Sequence, residues 1–182
     1  TTRDRFLFSH ELFLKNKTSV NEAYAFLIEM TRDEEGCWLM GAKAGELICK
    51  GNRQLRLALM DGAEVALGGG IVAAFFQPVM ESGTARMIFR NDAGEVLQQV
   101  LMLGQMGRVG GPGRPDLPLA GADAGLILIR QNGRLMARPV TAAGGLKEEF
   151  PVEIPCDLSV GDEEISMKLD ETFDASVKFF GQ

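Results

Sequence analysis

The chain has 182 residues, 46% of them apolar and 24% charged, with a formal net charge of −6. That length is enough for one large domain or two small ones, each with its own core. The acidic balance argues against a general nucleic-acid or anionic-membrane binder, which would carry a basic face.

The 22 glycines are scattered at turn-like positions and form no repeat, which favours short strands and tight turns. Cys37, Cys49 and Cys156 are odd in number and form no C-x-x-C, so a reduced, cytoplasmic setting is expected. No run approaches the roughly 20 apolar residues that span a bilayer. The chain begins at Thr1 without Met or a basic-then-apolar leader, which reads as a processed or excised piece.

In chain order, strand signals dominate. AYAFLIEM (23–30), GCWLMG (36–41), GELICK (45–50), QLRLALM (54–60), AEVALG (63–68) and IVAAFFQPV (71–79) are short apolar or alternating runs. Turn-forming DEEG, KAG, GN, DG and GGG separate them. After the polar break MESGT come ARMIFR (85–90), the turn NDAG and EVLQQVLML (95–103). The glycine-rich stretch GQMGRVGGPGRPDLPL (104–119) comes next and reads as a turn between strands. Beyond it lie AGLILIR (124–130), the turn QNG, RLMARPV (134–140), a loop with AGG, then PVEIP, DLSVGDEEISMKL and SVKFF. NEAYAFLIEM suits a helix on propensity, but its place in a ladder of strands and turns argues for a strand.

The two halves echo one another. E-L-F-L (11–14), an apolar strand and L-M-D-G-A-E-V-A-L (59–67) precede AAFF; D-L-P-L (116–119), AGLILIR and L-S-V-G-D-E-E-I-S-M (158–167) precede VKFF. A spacing of about 100 residues marks domain duplication, so two all-β domains are expected, at 1–80 and 84–182. The second unit has two strand runs before its glycine-rich turn, and the first has no room for both before Glu11. Either its opening strands lie upstream, or its sheet closes differently. A sheet lacking an outer strand exposes an edge, which invites self-association. The cores are expected at Leu27, Trp38, Leu57, Val65, Phe75, Leu101, Ile127, Ile165 and Phe179.

No reaction is named by any motif. The glycines lack the following Lys and Ser/Thr of a P-loop and miss the G-x-G-x-x-G spacing. His10, the one histidine, has no nucleophile elbow to serve and no zinc-ligand spacing around it. Acidic groups at Asp33-Glu34-Glu35, Glu148-Glu149 and Asp162-Glu163-Glu164 sit at turns and read as solvated. Trp38 and Tyr24 are single and most Phe read as core, so a stacking surface for sugars or bases has little support. No cofactor and no metal are expected.

Gly107-Arg108, Asp116-Leu117-Pro118-Leu119, then Leu158 with Gly161-Asp162 and Ile165 resemble the landmarks of a forkhead-associated (FHA) domain, a β-sandwich interaction module. That family shows a Gly-Arg pair, Asp-Ile-x-Leu, Ser-Arg-x-His-Ala, an Asn-Gly turn and Leu-x-x-Gly-Asp-x-Ile. The first half offers Glu11-Leu12-Phe13-Leu14 and Leu59 to Val65. The resemblance covers nearly the whole chain as two units, through short, permissive motifs. It implies two β-sandwiches in tandem that recognise phosphothreonine peptides. The departures lie in the phosphate site. The Ser, Arg and His positions fall on Gly121, Ala122 and Ala124 in the second unit. In the first they fall on Val20, Asn21 and Ala23, with Ser19 one residue away. The Asn is missing from AAGG (142–145) and from KAG (43–45).

Phosphate recognition needs charge-assisted donors, typically an arginine fork. The expected function is therefore a non-enzymatic, phospho-independent interaction or scaffolding module, with loops such as Gly107, Arg108 and Arg114 as contact surface. By resemblance, degenerate domains of this kind belong to secretion machinery or Ser/Thr-kinase signalling. The alternatives are a working phosphothreonine reader that uses Arg108 and Arg114, and a β-sandwich enzyme or carbohydrate binder. The expected partner is a protein or a peptide, phosphorylated or plain, with no nucleic acid and no membrane insertion.

Overall fold

The structure, a computed structural model, describes residues 5–9, 26–119, 122–153, 156–160, 163–169 and 177–180. The first eight strands are β1 (Arg5–Ser9), β2 (Leu27–Arg32), β3 (Trp38–Ala44), β4 (Leu47–Cys49), β5 (Asn52–Gln54), β6 (Arg56–Ala58), β7 (Glu64–Gly68) and β8 (Ile71–Phe76). After a 3-10 turn at Met80–Ser82 come β9 (Ala85–Asn91), β10 (Val96–Met102), β11 (Met106–Gly110), β12 (Gly125–Gln131) and β13 (Arg134–Val140). The last are β14 (Phe150–Val152), β15 (Cys156–Val160), β16 (Glu163–Leu169) and β17 (Val177–Phe180). The chain is all-β, and among the described residues no helix is long and apolar enough to cross a membrane.

The described residues pack as two units. The first runs to Phe76 and takes in Met87–Gln99; the second holds Gln77–Arg86 and the residues from Val100 onward. This division differs from a single cut near residues 80–85. The chain leaves the first unit at Phe76, but most of β9 and the start of β10 return to it.

In the first unit one sheet has the order β1-β2-β3-β6, and β9 and β10 join the other, β10-β9-β8-β7-β4-β5. The strands expected to open the second unit thus extend the sheet of the first.

Alternation sorts each strand into two faces. β2 buries Ile28 and Met30 and turns Glu29 and Thr31 the other way; β3 buries Trp38 and Met40 opposite them. Between β2 and β3, Asp33 Oδ1 accepts the backbone N–H of Glu35 (3.0 Å) and of Cys37 (2.8 Å), a side-chain-closed turn. The core gathers aromatic rings from both sheets: Phe8 of β1 meets Phe89 of β9 at 5.5 Å between centroids, and Phe6 meets Trp38 at 5.6 Å.

The second unit holds the sheet β11-β12-β13-β14 and the sheet β15-β16-β17. Its core is Leu101, Leu103, Val109, Leu117, Leu126, Leu128 and Ala137, bordered by Leu119, Leu135 and Val152. Part of the glycine-rich stretch is strand: Met106–Gly110 pairs antiparallel with β12, so the turn is confined to the residues after Gly110.

Of the expected core residues, Trp38, Val65, Phe75 and Leu101 are buried. Leu27, Leu57 and Ile127 are half-buried. On β2 the core face belongs to Ile28 and Met30, and on β12 to Leu126 and Leu128, which leaves Leu27 and Ile127 on the opposite faces. The side chains of Ile165 and Phe179 lie outside the described residues.

Phe89→Ala tests where β9 belongs. Emptying a fully buried aromatic site is expected to cost about 3–5 kcal/mol. Trp38 is the one tryptophan and sits in the first unit, so its fluorescence reports that unit alone. The Trp38 transition is expected at lower denaturant in the variant; an unmoved transition would place β9 elsewhere.

Candidate functional site

The sequence points to the loop that leaves β11. Gly107 is buried within that strand, and a Cβ there would lie 2.7 Å from Leu103 Cδ1 and 3.3 Å from Thr84 Cγ2. The strand crosses this part of the core only because the position has no side chain. Arg108, next along, faces the other side of the sheet and is half-exposed.

At Gly110 and Gly111 the backbone turns left-handed, with φ of 61° and 78°. A Cβ on Gly125 would stand 2.8 Å from the Gly110 carbonyl oxygen, so the loop crosses the start of β12 at a distance that glycine alone allows.

The chain then returns to the strand it left. Val109 and Leu117 form an isolated parallel bridge, in which the Leu117 N–H donates to the Arg108 carbonyl (3.0 Å) and the Gly110 N–H to the Leu117 carbonyl (2.8 Å). The Asp116 carboxylate accepts the Arg108 backbone N–H through Oδ2 at 2.8 Å. The Arg108 guanidinium donates from Nη2 to the Pro112 carbonyl, also at 2.8 Å. Four hydrogen bonds therefore close residues 108–117 into a ring, and Arg108 supplies a group to three of them.

Asp116 is 5% exposed. Burial pushes its carboxyl above the ordinary range; the Arg108 N–H and the positive charges of Arg108 and Arg86 pull it back in part. Its second oxygen, Oδ1, is buried without a hydrogen-bond partner. A carboxylate accepting one backbone donor in a desolvated place is a structural clamp with a residual electrostatic cost.

Of the expected site residues, Gly107 and Arg108 are adjacent on β11 and joined to the clamp. Arg114 is exposed on the loop and takes no part in the clamp's hydrogen bonds. Asp116 was legible only as part of an Asp-Leu motif; nothing in the spacing announced that its carboxylate would close the ring.

Elsewhere in the second unit, the stretch from Thr141 to Gly145 is a self-closed turn. The Thr141 N–H donates to the Gly145 carbonyl (2.8 Å), and the Gly145 N–H donates back to Thr141 Oγ1 (2.9 Å). Ala122 and Ala124 carry no side-chain donor, and Gly121 lies outside the described residues.

The remaining candidates sort into structural partners. Asp33 closes its turn, and Glu149 pairs with Arg138 at 2.7 Å. Among the described residues no group of three or more His, Cys, Asp or Glu could hold a metal ion. His10 and Asp162 lie outside the described residues.

In the first unit a groove of about 330 Å³ lies along β2, β3 and β6, lined by Glu29, Thr31, Leu39, Lys43 and Arg56 among others. Burial raises the Glu29 carboxyl, but hydrogen bonds from Lys43 (2.9 Å) and Arg5 outweigh it and hold it below the ordinary range. Glu29 is thus committed to holding β1 and β3 against β2.

No family model matches the chain, and neither a curated protein nor a solved structure matches it.

Removing the Asp116 carboxylate by Asp116→Ala leaves the Arg108 N–H without its acceptor, an expected loss of about 1–3 kcal/mol. The raised carboxyl also fixes a sign. Its contribution to stability is full below the ordinary carboxylate range and is lost as pH rises through the raised value. Asp116→Asn, neutral at every pH, is therefore expected to gain on the wild type in thermal melts as pH rises from the ordinary carboxylate range through the raised value. A constant difference across that range would contradict the buried charge.

Proposed function

We propose that this chain is a non-enzymatic protein-interaction module built from two degenerate FHA-like units, and that its binding does not depend on phosphate. The observation that carries this is the engagement of Arg108. Its guanidinium braces the Pro112 carbonyl and its own backbone N–H goes to Asp116, so the residue is held inside its loop.

A phosphate reader presents a fork of donors outward, together with hydroxyl partners. Here the corresponding downstream positions that can be placed, Ala122 and Ala124, have no polar side chain. Among the described residues, the carboxylates whose acidity departs from the ordinary, Glu29 and Asp116, are each explained by a structural role, which favours binding over catalysis. Ordered strands carrying short, well-closed loops suit a rigid platform for a partner.

Titration of matched phosphothreonine and threonine peptides by fluorescence anisotropy tests this. The expected preference is below about tenfold, or 1.4 kcal/mol, and the same in Arg108→Ala. A larger preference that Arg108→Ala abolishes would make the chain a phosphothreonine reader instead.

A further inference from the structure

The pairing of the β11-β12-β13-β14 sheet places an apolar row on the side away from the core. Directly opposed residues share a face, and the registers Met106↔Ile129, Ile129↔Met136 and Met136↔Pro151 run straight across all four strands. None of the four is fully buried, and Met106 is 41% exposed. The inner face of the same strands holds Val109, Leu126, Leu128, Leu135, Ala137 and Val152, so these four side chains are not needed for the core.

Arginines flank the row on both sides. Arg108↔Ile127↔Arg138 is the neighbouring row in one direction, and Gln131↔Arg134 in the other. Arg134 is exposed. Glu149, paired with Arg138, offsets one of these three charges. On a chain of net charge −6, an apolar stripe framed by arginines selects an acidic partner.

The geometry also selects the partner's conformation. Neighbouring strands lie about 4.8 Å apart, so four side chains in a row span about 14 Å. That is the length of roughly nine residues of α-helix. The backbone groups of a sheet lie in its plane, so its face offers no donors or acceptors to an extended segment. A ligand lying on the face has to satisfy its own backbone, and a helix does so.

We propose that the outer face of the β11–β14 sheet docks an amphipathic helix with an apolar stripe and acidic flanks. The stripe would lie on Met106, Ile129, Met136 and Pro151, with carboxylates over the exposed Arg134 on one side and, on the other, facing the positive charge of Arg108, whose guanidinium stays on the Pro112 carbonyl. On the interaction role proposed above, this names the class of partner.

The probe is a designed helical peptide of about 18 residues with leucines at i, i+3, i+4 and i+7 and glutamates beside them. A second peptide carries lysines at the same flanking positions. Fluorescence anisotropy with the full chain is expected to show the glutamate peptide bound at least about tenfold tighter than the lysine peptide. The gap should narrow when salt rises from about 0.05 M to 0.5 M. Met106→Glu and Met136→Glu are each expected to weaken binding about tenfold or more, and Met136→Leu to keep it.

Circular dichroism melts establish that each variant is folded. If Met136→Glu does not fold, Met106→Glu on the exposed end of β11 decides the matter. Equal binding of the two peptides, absence of binding at about 1 mM peptide, or unchanged binding in folded Met106→Glu would overturn the proposal. A phosphothreonine preference abolished by Arg108→Ala would overturn the phospho-independent role instead, and the Met106→Glu result would still decide the helix surface.

Discussion

The arginine loop depends on one buried carboxylate. Asp116 takes the Arg108 N–H at the point where the chain has just crossed three closely packed glycines. Without an acceptor there, a backbone donor next to the Leu103–Val109–Leu117 core would be stranded. With it, Leu117 enters the core, the parallel bridge to Val109 forms, and Pro112 comes within reach of the Arg108 guanidinium. Burial of the carboxylate, whose Oδ1 has no partner, is the cost of this closure, and that burial holds the carboxyl above its ordinary range.

That closure separates two uses of one strand. The side of β11 that carries Gly107 and Val109 is flattened and buried, while the side with Met106 and Arg108 is left to the surface. Antiparallel pairing then carries each choice across the neighbouring strands, because opposed residues cannot change faces. A small residue inside and a methionine outside on β11 thus become, four strands wide, a leucine-rich core and an apolar row framed by arginines. In the first unit the same rule puts Glu29 outside Ile28 and Met30, where Arg5 and Lys43 of the flanking strands reach it.

The sequence made the fold class readable because apolar runs of strand length alternate with glycine- and aspartate-rich turns along the chain. It placed Trp38, Val65, Phe75 and Leu101 inside correctly, since each lies at the apolar phase of its strand. Ile127 was harder: AGLILIR is apolar on both faces, so periodicity cannot choose between Leu126 and Ile127, and only pairing with β11 and β13 does. The assignment of β9 and β10 was illegible for a different reason. A strand's partner is set by what its aromatic side chains meet, and the match of Phe89 to Phe8 joins residues far apart in sequence. At the loop, Gly107 and Arg108 stood out as residue types, whereas the Asp116 clamp depends on a backbone return that no spacing rule encodes.

Amide hydrogen exchange at Arg108 measures the central claim most directly, since this N–H is the one the Asp116 carboxylate holds. The clamp predicts exchange as slow as that of core amides in β12, with the same rate in the presence of inorganic phosphate. Fast exchange at Arg108, or a rate that phosphate changes, would mean that the loop is open and that its arginine is available to a ligand.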